Sequence, residues 1–77
     1  MITKIKKHEA SENGKWLKVR LSKVRTKGMT MDVYVTSYYW YNGKRMYHKT
    51  EAFWDIEDSV KFYNKKVAEL NARLFNN

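Results

Sequence analysis

The chain has no cysteine and no proline, and only three glycines among its 77 residues. Without cysteine, neither a disulfide nor a thiolate metal site can staple the fold. The two histidines, His8 and His48, belong to no ligand motif, so a structural zinc site is not expected. No run of 18 apolar residues is present, which excludes a membrane-spanning helix of ordinary length. The opening "MITKIKKHEASENGKW" lacks the apolar core of a signal peptide, so the expected location is the cytoplasm, a host cell's if the chain is phage-encoded. Converging acid, base or nucleophile groups are also missing, and neither an enzyme nor a cofactor site is expected.

What is present is cationic charge, with a formal net charge of +8. It is unevenly spread: residues 1–31 carry +7, residues 32–50 carry +2 and residues 51–77 carry −1. A field of one sign over most of a small domain draws polyanions. A chain this short buries only about 60% of its unfolded surface, so one thin core must suffice.

Residues 1–14 are polar and end in "SENG", which reads as a basic arm, flexible or with a short strand near Ile2–Ile5. Residues 15–77 read as a single βββα domain of the α+β class. In "WLKVRLS", Leu17, Val19 and Leu21 alternate with Trp16, Lys18 and Arg20, the pattern of a strand buried on one face. A bulge at Ser22–Lys23 would bring Val24 inward and leave Lys23 and Arg25 outward. A second strand is expected from Met29 to Tyr41, a two-residue turn at Asn42-Gly43, and a third strand from Lys44 to Phe53. Ile56, Val60, Tyr63, Val67, Leu70 and Leu74 then recur at helical spacing behind an Asp55 N-cap, with fraying expected at "FNN" and a Glu69–Arg73 pair one turn apart.

With a two-residue turn, Tyr38 faces Tyr47 and Trp40 faces Arg45. The helix would then cover Leu17, Val19, Leu21, Val24, Met31, Val33, Val35, Tyr39, Met46 and Ala52, with Phe53 and Trp54 closing one end. The uncovered face would carry Trp16, Lys18, Arg20, Lys23, Arg25, Tyr34, Thr36, Tyr38, Trp40, Arg45, Tyr47 and Lys49. His48 would be a hydrogen-bonded residue at the core edge.

Two accounts fit such a face. Cross-strand rings and lysines stabilise a sheet and keep it soluble. Rings beside unpaired cations also suit phosphate contact and base stacking. The excess of one charge sign and the large rings, which solubility alone disfavours, point to the second.

The hairpin with basic flanks followed by "FYNKKVAEL" on a closing helix resembles the arm-type DNA-binding domain of phage and transposon tyrosine recombinases, across about residues 15–74. The resemblance implies an exposed sheet face laid in the major groove. By position it assigns that contact to Lys18, Arg20, Lys23, Arg25, Tyr34, Thr36, Tyr38, Arg45, Tyr47 and Lys49. Duplex DNA is therefore the first expected partner. A host protein bound by a phage-type inhibitor or adaptor, and a single strand stacked on Trp16, Tyr38, Trp40 and Tyr47, are the alternatives. The expected state is a monomer or weak dimer without membrane contact.

Overall fold

The computed structural model describes residues 2–75. Four strands, β1 (Ile2–Glu12), β2 (Lys15–Val24), β3 (Val33–Tyr41) and β4 (Met46–Phe53), pair antiparallel in chain order, and α1 (Ile56–Phe75) closes one face. The sheet thus has four strands where three are expected. The additional strand is the N-terminal segment, which pairs with β2 from Ile2 opposite Val24 to Glu12 opposite Lys15. Its connection is a two-residue turn: Asn13 and Gly14 take φ of 53° and 77°, the left-handed pair that matches strand twist.

The tight Asn-Gly turn thus lies at 13–14 and not at 42–43. At the second site Asn42 closes a four-residue turn, its Oδ1 accepting the Lys44 and Arg45 N–H groups at 2.9 Å each. The Asn42 N–H donates to the Arg45 carbonyl at 3.2 Å. This moves the β3–β4 register by two residues, so Trp40 faces Tyr47 and Tyr38 faces Lys49. The bulge also lies elsewhere. It falls between Lys4 and Lys6 in β1, while β2 runs without interruption to Val24 opposite Val33.

The helix begins as its sequence dictates. Asp55 Oδ1 accepts the Glu57 N–H at 3.1 Å, and Glu57 and Asp58 place negative charge in the first turn. Ser59, Tyr63, Leu70 and Leu74 are its buried positions. Ile56 is exposed, so the stripe is rotated toward Ser59, which is fully buried with its hydroxyl donating to the Ile56 carbonyl at 2.9 Å. Glu69 pairs with Lys66 at 2.9 Å and Lys65 at 3.9 Å, in place of the expected Arg73. Phe75 remains helical, and Asn76 and Asn77 lie outside the described residues.

The core contains Leu17, Val19 and Leu21 of β2, Tyr38 and Trp40 of β3, and Tyr63, Leu70 and Leu74 of α1. Leu17 opposes Trp40 and Val19 opposes Tyr38, so the helix covers the even-numbered face of β3. That reverses the expected sorting of β3 and β4. Val33, Val35, Tyr39, Met46 and Ala52 look away from the helix, as does Val24, while Met31 and Trp54 lie exposed outside the strands. The physical reason is volume. One helix must fill the gap over the sheet, and Tyr38 and Trp40 supply far more buried ring area than the valines do. Phe62 completes the layer, edge-on to Tyr38 at 5.9 Å and against Phe53 at 5.2 Å.

Candidate nucleic-acid interface

The face opposite the helix is built in cross-strand rows. At the turn end Ser11, Trp16, Tyr41 and Met46 lie side by side, followed by Glu9, Lys18, Tyr39 and His48. The third row is Lys7, Arg20, Ser37 and Thr50, and the fourth is Lys4, Ser22, Val35 and Ala52. Rings therefore gather at one end and cations along β1 and β2. Ser37, Thr50 and Ala52 are the small side chains at the β3–β4 end of the last two rows.

Two stacked pairs make up the ring cluster. Trp16 lies over Tyr41 with centroids 6.4 Å apart, and Tyr39 lies over His48 at 4.2 Å with the planes nearly parallel. His48 is thus an exposed member of the open face, not a core-edge residue; the Thr50 Oγ1 is 3.4 Å from its Nε2. Glu9 is the one acidic side chain in these rows. It sits between Lys7 at 3.2 Å and Lys18 at 3.4 Å, and the hydrogen bond from Lys7 leads in holding its carboxyl below the ordinary value. Arg20 Nε is buried against the sheet with no hydrogen-bond acceptor among the described residues.

Of the twelve residues expected on the exposed face, Trp16, Lys18 and Arg20 are there. Lys23, Tyr34, Thr36, Tyr38, Trp40, Tyr47 and Lys49 lie on the helix side of the sheet. There Trp40 stacks between Tyr38 and Tyr47 at 5.9 and 5.0 Å, and Lys66 Nζ caps the Tyr38 ring at 5.4 Å. Arg25 and Arg45 are exposed in turns, with Arg25 Nε bonded to Asp32 Oδ1 at 2.9 Å. Lys23, Arg25 and Lys27 line an open cleft at the far end of the sheet.

The open-face residues that sequence reasoning missed are Lys4, Lys7, Tyr39, Tyr41 and His48. The signal for the last three was parity with Trp16 through the β2–β3 register, which periodicity within β3 alone does not supply. No group of three metal-ligating side chains converges among the described residues. Compared with known proteins, the chain matches no family model, no curated protein and no solved structure.

Proposed function

We propose that the protein is a non-enzymatic nucleic-acid binder whose contact surface is the open sheet face, and that it takes single strands in preference to duplex. The carrying observation is the juxtaposition of stacked rings on the open face, His48 exposed and Trp16, Tyr39 and Tyr41 half-buried, with Lys4, Lys7, Lys18 and Arg20, countered in these rows by Glu9 alone. Lysines and arginine supply sequence-independent phosphate contact, and the ring edges and outer ring faces offer unstacked bases a platform.

Width favours the single strand. Four strands spaced about 4.8 Å apart span roughly 14 Å between their outer backbones, before side chains are added. The major groove is about 12 Å wide and admits a two-stranded ribbon. The recombinase-like reading, which implies groove binding, would need the plate to enter edge-on. Duplex binding is therefore the second outcome of the test.

Affinity for a single-stranded oligonucleotide, a matched duplex and heparin is measured across a salt series. Four phosphate contacts predict a log–log slope of about −3 for the single strand, at roughly −0.7 per contact. Arg20→Ala should weaken binding and flatten that slope by a little under one. Tighter binding to the duplex returns the groove reading. Equal affinity for all three polymers reduces the face to a general polyanion sink and overturns the proposal.

A further inference from the structure

The outer edge of β4 has no neighbour in the sheet, and α1 packs mainly over β2 and β3. Such an edge invites pairing unless it is guarded by charge, proline or a bulge. The other edge, β1, has such guards: Lys4, Lys6 and Lys7 flank the bulge at Ile5. Strand β4 has no bulge, and its two charged residues, Lys49 and Glu51, have opposite signs.

The backbone phase of β4 follows from its turn. The bond from the Asn42 N–H to the Arg45 carbonyl turns these two backbones toward each other and sets the phase of the ladder that follows. Alternating along the ladder, Tyr47, Lys49, Glu51 and Phe53 direct their backbone groups at β3. His48, Thr50 and Ala52 therefore direct theirs outward, toward the free edge.

We infer that two copies of this chain join β4 to β4, antiparallel, about a two-fold axis through Thr50. In that register Thr50 meets Thr50, and His48 of each copy meets Ala52 of the other. All of these are outward-directed residues, so the free N–H and C=O groups of the edge pair off in a closed ladder. On the helix side Lys49 of each copy faces Glu51 of the other, giving two reciprocal ion pairs, and Tyr47 faces Phe53. Met46 of each copy comes opposite position 54 of the other, just past the end of the strand, where Trp54 is 63% exposed and Met46 62% exposed in the single chain. One patch thus complements itself in hydrogen bonding, charge and apolar contact, as an isologous interface requires. Because the axis is perpendicular to the sheet, both helices fall on one side and the two open faces become one eight-stranded plate.

The pairing does not depend on the nucleic-acid reading and is tested without nucleic acid. Sedimentation over a concentration series should show a dimer. Lys49→Glu or Glu51→Lys alone turns two attractive pairs into repulsive ones and should weaken association roughly tenfold or more; the double exchange should restore it. As a second measurement, Thr50→Cys should yield a disulfide-linked dimer on oxidation. Paired residues of this type hold their Cα atoms about 5.5 Å apart, within disulfide reach, and the chain has no other cysteine. Thr3→Cys on the β1 edge should not cross-link. A wild-type monomer at every concentration, single-charge variants that associate like wild type, or absence of the Thr50→Cys cross-link would each overturn the inference.

Discussion

At the scale of single residues, chemically similar rings do opposite work. Trp40 is buried between Tyr38, Tyr47 and the helix, whereas Trp16 stands on the open face over Tyr41. Truncating Trp40 to Ala should cost about 3–5 kcal/mol, as core ring deletions do. Trp16→Ala forfeits a partly exposed stack worth about 0.5–1.5 kcal/mol. Urea midpoints of the two variants check this ordering, and equal losses would refute it. Tyr63 adds a pH dependence, because burial raises its phenol above the ordinary value of 10.0. The unfolded phenol ionises first as pH rises past that value, so the folded form holds more protons there. Stability from this group is complete below pH 10 and declines above it. Tyr63→Phe should lessen that alkaline decline in chemical unfolding.

At the scale of elements, the helix and β2 were legible because each carries a clear period. The Asp55 cap and the acidic first turn act as their spacing implies, and the stripe does so from Tyr63 to Leu74, while Ile56 at its start is exposed and Ser59 is buried instead. Asp55→Ala should cost about 1 kcal/mol, read from thermal or urea unfolding. Of strand β1 only a short piece near Ile2–Ile5 was legible, because an edge strand exposed on most of its length needs no apolar alternation. Its one local signal was Asn13-Gly14, the same dipeptide as Asn42-Gly43. Which copy makes the two-residue turn is decided by the Asn42 side chain, which satisfies the Lys44 and Arg45 N–H groups and holds four residues in the second turn. Gly14→Ala places a side chain at φ 77° and should cost about 1–2 kcal/mol, although a Cβ there meets open space.

At the scale of the whole molecule, the sequence specifies one covered and one uncovered sheet face but leaves open which side of β3 is which. Both sides of that strand carry rings and small polar residues, so the choice depends on register with β2 and on which set better fills the space under α1. Turning β3 and β4 over exchanges Tyr38, Trp40, Tyr47 and Lys49 for Tyr39, Tyr41, His48 and Thr50. The open face nevertheless still joins cations to rings, since Trp16, Lys18 and Arg20 stay where β2 put them. The most direct test of nucleic-acid contact there is tryptophan quenching by a single-stranded oligonucleotide, in variants that lose one indole each. The account predicts quenching in wild type and in Trp40→Phe, and its loss in Trp16→Phe. Quenching that persists without Trp16 and disappears with Trp40 would place the nucleic acid on the helix side and contradict it.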